Sequence, residues 1–332
     1  MNPGLVLAVG PNGAGKTNLL ESLHLGTQGF SPRTRSDAQL ISFGQSAGRV
    51  ALRGERAPGV PVELEVTLRA GAGKQGKLNG APLRAAEQLR TEVSTLVFTP
   101  DRLAVVKGGP VVRRAYFDRV LGRLAPARAE LPASYAAAVG QRNAALRRVA
   151  IGVSTRDAVA PWTEQVAELG AELAAARAET LALLAPMFGE RASELGLPAA
   201  RLDYEGGPVT AAALEARLER DLERGTTGLG PHLDDVAIRS GDRELRSFGS
   251  QGEQRLAVLS LLLAEADVIA DRRGARPLLL LDDVLSELDP ARRLTLAEQL
   301  GGRGQALITS TTAAALPVEP RQLVEVSPGR AA

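Results

Sequence analysis

The chain has 332 residues, 44% of them hydrophobic and 23% charged, the balance of a globular protein long enough for about two domains. It has no cysteine, which excludes disulfides, thiolate zinc sites and thiol catalysis, and its two histidines, His24 and His232, leave little room for a histidine metal site. Lys plus Arg number 40 against 38 Asp plus Glu, so the net charge is only +2 and any phosphate contacts must come from local basic clusters.

The N-terminal stretch MNPGLVLAVG has no basic region and only a short apolar run, so it does not have the form of a signal peptide. No run reaches the roughly 18 apolar residues that span a bilayer, so the expected setting is the cytoplasm, away from membranes. Leu5 to Val9 ends in glycines and predicts a buried parallel strand feeding a helix from about Lys16 to His24. The link between them, Gly10-Pro11-Asn12-Gly13-Ala14-Gly15-Lys16-Thr17, fits G-x-x-x-x-G-K-[ST] without a gap. A strand before it and a helix after it are what distinguish a phosphate loop from an ordinary Gly-rich turn. Its glycines let backbone N–H groups wrap phosphates, and the helix N-terminus adds partial positive charge. Lys16 is expected to reach the β- and γ-phosphates of ATP and the Thr17 hydroxyl to bind Mg²⁺. The expected ATP-binding set runs from Gly10 through Asn18.

Val62, Leu64, Val66 and Leu68 alternate as a half-buried strand, and Leu78-Asn79-Gly80 marks a hairpin tip. Ser94 to Phe98 is another buried strand. After about Leu103 the texture turns helical: Arg113 to Leu124, Ser134 to Ala150 and Val159 to Met187 are rich in Ala, Leu, Arg and Glu. Trp162, Val166, Leu169, Leu173 and Ala176 form one stripe at helical spacing, read as packing inside a helical lobe. Pro186 and Gly189 are expected to end that pattern, too early for a coiled-coil arm. Strand character returns at Asp234 to Ser240, followed by a turn at Ser240-Gly241-Asp242 and a long apolar helix from Gln251 to Ala270. Pro277 to Leu281 reads as a buried strand. Asp289 then caps a helix with Pro290 at its first position, and Gln305 to Thr309 is the last clear buried strand.

Two further motifs carry chemistry. Leu278-Leu279-Leu280-Leu281-Asp282-Asp283 is an apolar strand ending in two acids. Alone it could be an ordinary strand end. Downstream of a phosphate loop, Asp282 is expected to order the Mg²⁺ shell and Asp283 to accept a hydrogen bond from attacking water. Phe248-Gly249-Ser250-Gln251-Gly252-Glu253-Gln254 opens the long helix just upstream. It could be a simple helix cap with a glycine turn. It is also similar to the ABC signature L-S-G-G-Q, whose serine and glycines form a second phosphate-binding surface. Ser286-Glu287-Leu288-Asp289 resembles the D-loop of that superfamily.

These motifs sit among longer stretches that resemble the bacterial RecF family of recombination mediators, relatives of SMC proteins. The stretches are Leu96 to Asp101, Val106 to Pro110 with Arg113 and Arg114, Gln141-Arg142-Asn143, Gly230-Pro231-His232-Leu233-Asp234-Asp235, and Leu280 through Asp289. The resemblance covers almost the whole chain in the right order. It implies an α/β fold in which a P-loop ABC-type ATPase head carries an inserted all-helical lobe. The corresponding divisions are residues 1–103 for the first part of the head, 104–228 for the lobe and 229–332 for the rest of the head. It also implies slow ATP hydrolysis with catalytic roles for Lys16 and Asp283, and ATP-dependent homodimerisation through Ser250, Gln251 and Gly252 acting in trans and Ser286 and Asp289 at the interface. Binding to double-stranded, gapped or junction DNA follows, with RecR and RecO as partners in loading RecA, in DNA replication, repair and the SOS response. Members usually begin with two strands and an arginine-bearing loop before the P-loop strand. Here Met1 lies four residues before Leu5, which raises the expectation of a misassigned start or a truncation.

The candidate DNA-contacting residues are Lys107, Arg113, Arg114 and Arg142, with Arg33, Arg35, Arg147 and Arg148 as further basic positions; each could instead be solvated surface or an internal pair. His232, Asp234 and Asp235 match a family stretch without an evident chemical role. Two rival classes explain less. A small-molecule phosphotransferase accounts for the P-loop but not for Ser250 to Gln254. A transporter ATPase subunit calls for a glutamine after the Ser94–Phe98 strand and a histidine near Ser310, and neither is present.

Overall fold

The computed structural model describes residues 4–34, 36–57, 59–286, 288–302 and 304–331. Arg35 and Glu287, singled out above, lie outside the described residues. The chain divides into two compact units: one formed by residues 1–102, 194–196 and 262–332, the other by residues 103–193 and 197–261.

The first unit is built on a six-stranded sheet. Its strand order is Arg330–Ala331, Gln322–Ser327, Leu5–Val9, Ala306–Ser310, Leu278–Leu281 and Thr95–Phe98. All pairings are parallel except the one made by Arg330–Ala331. The runs LVLAV, LLLL and ALITS lack polar alternation because these strands are covered on both faces. Val6, Ala8, Leu20, Leu23, Val97, Leu280 and Leu307 form one core cluster. The Lys16–Gln28 helix follows the first strand. Beside this sheet in sequence stands an antiparallel one of Ala47–Ala57, Val60–Arg69, Gln75–Leu78 and Ala81–Pro82. The alternating Val62, Leu64, Val66 and Leu68 bury their side chains there against Leu25 and Leu89. Asn79 and Gly80, both at positive φ, make the expected hairpin turn.

The second unit contains helices Pro110–Leu124, Leu131–Ala150 and Ala160–Glu194 and a three-stranded antiparallel sheet of Ala200–Glu205, Asp235–Ser240 and Arg243–Glu244. The stripe on the longest helix is core: Val166, Leu173 and Ala176 pack with Leu121, Leu131, Tyr135 and Leu214. That helix does not stop near Met187, where Pro186 and Gly189 were expected to end it, but runs on to Glu194. Proline at that position leaves the Ala182 carbonyl without its helical partner, an interior penalty of about 3 kcal/mol. Complete burial of Phe188 and Ala192 beyond it offsets that penalty.

The segment expected to rejoin the head at residue 229 packs within the second unit as far as Leu261. Two facts of pairing explain this. The strand Asp235–Ser240 bonds along its length to Ala200–Glu205, and the loop before it is fastened to the lobe helices by side chains described below. Among the described residues no helix is long and apolar enough to cross a membrane.

Candidate functional site

The phosphate loop leaves the C-terminal end of a central strand, where parallel α/β sheets hold their ligands. Gly13 and Gly15 have φ values of +82° and +106°, a left-handed backbone that favours glycine, and a Cβ at either would meet nothing within 4 Å. Gly10 is glycine for a different reason: a Cβ there would lie 2.2 Å from the Val326 carbonyl oxygen. Gly15 begins the Lys16–Gln28 helix with no side-chain cap and no acid in the first turn, so its leading N–H groups face outward as donors. Lys16 Nζ donates to the Gly10 oxygen at 2.6 Å and the Pro11 oxygen at 3.0 Å, which sets its charge over the loop.

Thr17 follows, and its hydroxyl donates to Asp282 at 3.0 Å to Oδ2 and 3.2 Å to Oδ1. The two residues are 265 positions apart and meet because the strand that leads into the phosphate loop and helix of Thr17 and the strand that ends before Asp282 run parallel in one sheet, with their C-terminal ends on the same edge. Asp282 is buried, and its Oδ1 also accepts from the Thr309 hydroxyl at 2.7 Å. Asp283 is exposed and adopts φ +48°, an unfavourable conformation for a residue with a Cβ, worth roughly 1–3 kcal/mol. Its N–H donates to Thr309 Oγ1 at 2.9 Å. Thr309 was not singled out in the sequence, where it is simply the last residue of an apolar strand. The next turn is tied back by Ser286 Oγ donating to the Asp283 carbonyl at 3.1 Å. Asp289 caps the Pro290–Gly301 helix as its sequence predicts, accepting the Arg292 N–H at 2.9 Å.

These groups fit a magnesium ion. Thr17 and Asp282 offer hard oxygen donors about one hydrogen-bond length apart. Magnesium sites use one or two protein oxygens and leave the other positions to water and substrate phosphates. Among the described residues no cluster of three or more His, Cys, Asp or Glu side chains forms an all-protein metal cage.

Ser250 stands at the start of the Gln251–Arg273 helix in a reciprocal cap. The Glu253 N–H donates to Ser250 Oγ at 3.2 Å, and the Ser250 N–H donates to Glu253 Oε2 at 2.8 Å. The Ser250 amide, and after it the Arg243 guanidinium at 2.9 Å, hold the Glu253 carboxyl below its usual range. Gln254 is buried, and its amide donates to the Leu245 carbonyl. The Ser250 oxygen is an acceptor in its own cap, which leaves its proton to donate elsewhere. Phe248, two residues earlier, is 70% exposed.

Two of the expected DNA contacts are corrected. Arg113 is 1% exposed, forms a two-pronged ion pair with Asp235 and donates to the Gly108 carbonyl at 2.7 Å. Arg142 is fully buried. It pairs with Asp221 at 2.7 Å and donates to Thr227 Oγ1, Thr163 Oγ1 and the Leu214 carbonyl. Both guanidinium groups are turned inward onto acids and carbonyls, away from solvent. Arg114 is half-buried with Nη1 on the Asp234 carbonyl at 2.6 Å. Lys107, Arg147 and Arg148 are exposed, and Arg33 lies 3.6 Å from Glu21.

The Gly230–Asp235 stretch now has a role. His232 Nε2 donates to the Thr227 carbonyl at 3.0 Å, leaving Nδ1 to accept the Tyr135 hydroxyl at 2.7 Å. Burial pushes the His232 pKa down and the Tyr135 pKa up, so both stay neutral as this arrangement requires. Tyr204 donates to Asp234, and Arg177 joins the Pro231 carbonyl at 2.6 Å to Asp118. Burial works against the charge on Asp235, but the Arg113 guanidinium and the Val236 N–H hold its pKa below the usual value. The stretch is a polar lock between loop and helices.

The family described as RecF/RecN/SMC N terminal domain matches residues 1–330. The DNA replication and repair protein RecF of Heliobacterium modesticaldum is 36% identical over 323 residues, covering 93% of this chain and 87% of the relative. The RecF of Anaeromyxobacter sp. (strain K) is 37% identical and covers 99% and 90%. A solved structure of the recombination mediator protein RecF with ATP, in the RecFOR pathway, superposes with a TM-score of 0.85 at 26% identity, covering 100% of this chain and 92% of that one. The Smc head domain from Pyrococcus furiosus shares the fold at a TM-score of 0.57 and 16% identity. With a family match along nearly its entire length and relatives above 30% identity, the chain belongs to the RecF family of DNA replication and repair proteins, within the wider RecF/RecN/SMC group.

Proposed function

We propose that this protein is an ATP-dependent DNA-binding mediator of recombination and repair, which dimerises on gapped or junction DNA and helps to load RecA recombinase. The observation that carries the reading is the meeting of Thr17 and Asp282 at 3.0 Å beneath the Lys16 loop, in a chain that superposes on RecF with ATP. The loop amides and the Lys16 ammonium bind the β- and γ-phosphates. Thr17 and Asp282 would hold Mg²⁺, which would supply positive charge against the phosphate oxygens. Asp283, exposed at the strand end, accepts a hydrogen bond from the attacking water and orients it toward the γ-phosphate. Ser250, with its oxygen committed to the cap, donates its proton, together with the Gly252 backbone, to the γ-phosphate held by a second copy. Dimer affinity then depends on nucleotide state, because only the triphosphate offers that contact. Hydrolysis removes it and releases the pair. RecR and RecO are the partners this reading carries.

The test is size-exclusion chromatography with ATP, ADP or no nucleotide, each with and without gapped duplex. Dimer is expected only with ATP, strengthened by DNA. Lys16→Ala loses ATP binding. Asp283→Asn binds ATP, hydrolyses it slowly and accumulates as dimer. Ser250→Arg binds ATP as a monomer. A Ser250→Arg protein that still dimerises with ATP overturns the contact in trans.

A further inference from the structure

We infer that Thr309 is a positioning residue that sets both acids of the nucleotide site through one hydroxyl; the inference rests on the ATP reading above. Thr309 lies on the strand Ala306–Ser310, between the strand that leads into the phosphate loop and the strand that ends in Asp282. The register pairs Ala8 with Thr309 on one side and Leu281 with Ile308 on the other, so Thr309 stands level with Asp282. It is completely buried.

A threonine hydroxyl has one proton and two lone pairs. Here the proton goes to Asp282 Oδ1 at 2.7 Å, and a lone pair receives the Asp283 N–H at 2.9 Å. The first bond fixes the plane of the Asp282 carboxylate, so that Oδ2 faces Thr17 at 3.0 Å. The second ties down the amide of a residue whose φ of +48° its own Cβ disfavours. The Asp283 carboxylate therefore leaves the strand end along a fixed course. Valine has the same shape and supplies neither bond. Serine supplies both.

The 332-residue protein is tested in two ways. One is steady-state ATP hydrolysis; the other is Mg²⁺ titration of the fluorescence of bound mant-ATP, which reads binding without turnover. Thr309→Val is expected to lower kcat by roughly 10–100-fold and to raise the Mg²⁺ concentration for half-maximal signal by about tenfold or more, as loss of outer-shell partners of metal ligands does. The KM for ATP should stay within about threefold, because phosphate-loop contacts are untouched. Thr309→Ser should restore kcat and the Mg²⁺ midpoint nearly to wild type. Should Thr309→Val fail to fold, Thr309→Cys keeps the side-chain size with a weak donor and is expected to show the same two losses. Wild-type kcat and Mg²⁺ dependence in Thr309→Val, or in Thr309→Cys in its place, overturns the assignment, as does a Thr309→Ser protein no better than Thr309→Val. Wild-type protein that binds no ATP overturns the underlying reading, and this inference with it.

Discussion

Replacing Arg142 with alanine separates a structural arginine from a DNA-binding one. The side chain is fully buried and its partner Asp221 is 1% exposed. Truncation leaves the Asp221 Oδ2 charge unpaired, with only the Gly228 N–H on its other oxygen, and removes the donor from Thr227 Oγ1 and the Leu214 carbonyl. Breaking a buried pair on one side costs about 3–5 kcal/mol. With a urea m-value of roughly 2 kcal/mol/M, the midpoint should fall by about 1.5–2.5 M. The readout is built in: Trp162 is the only tryptophan, it precedes Thr163 of the same network, and it packs on the cluster of Ala145, Leu146, Val159 and Leu218. Its fluorescence therefore follows unfolding of this unit. Arg142→Met combined with Asp221→Leu removes both charges and should recover most of the loss. An Arg142→Ala protein with an unchanged urea midpoint, weaker DNA binding and a salt dependence shallower by about one counterion would refute the reasoning.

Two further outcomes follow from the site and the lock. Gly10→Ala drives a Cβ to 2.2 Å from a backbone oxygen and should sharply lower the thermal midpoint. Gly13→Ala meets no atom and should cost only about 1–2 kcal/mol of backbone strain, measured by the same melting experiment. The lock makes stability depend on acid. The His232 pKa is lowered in the folded state by burial, so below its ordinary value the unfolded chain binds more protons than the folded one. Its contribution is complete above about pH 6.5 and is lost as the pH falls below that. His232→Asn should flatten the stability curve over that interval, and an unchanged slope would show that folding does not shift the proton affinity of His232.

Much of this was legible in the sequence because it is local. The phosphate loop, the apolar strand ending in Asp282 and Asp283, the Asn79-Gly80 turn and the Asp289 cap are each complete within a few residues, and each lies where its pattern placed it. The strand Ala47–Ala57 was not visible: its apolar side contributes Val50 and Leu52 among arginines and glycines, and its pairing is supplied by Val60–Arg69. Pro186 misled because a local rule was overridden by burial of Phe188 and Ala192. Thr309 was missed because a hydroxyl at a strand end shows no sign of which atoms it bridges until the neighbouring strand is in place.

The arginines were the hardest to read, for a reason visible in the bulk charge. With 40 basic and 38 acidic side chains, most positive charge has an internal acid available, and sequence spacing does not reveal which. Arg113 finds Asp235 across 122 positions, Arg142 finds Asp221 across 79, and Arg177 finds Asp118 across 59. Each is a buried guanidinium whose fork satisfies a carboxylate and a backbone carbonyl together, which lysine's single ammonium does less well. The family stretches that carry Arg113, Arg142 and His232 therefore mark the interior framework of the second unit. Any phosphate-binding surface would draw on the exposed remainder; among the described basic positions named above, Arg33, Lys107, Arg147 and Arg148 keep their side chains outside.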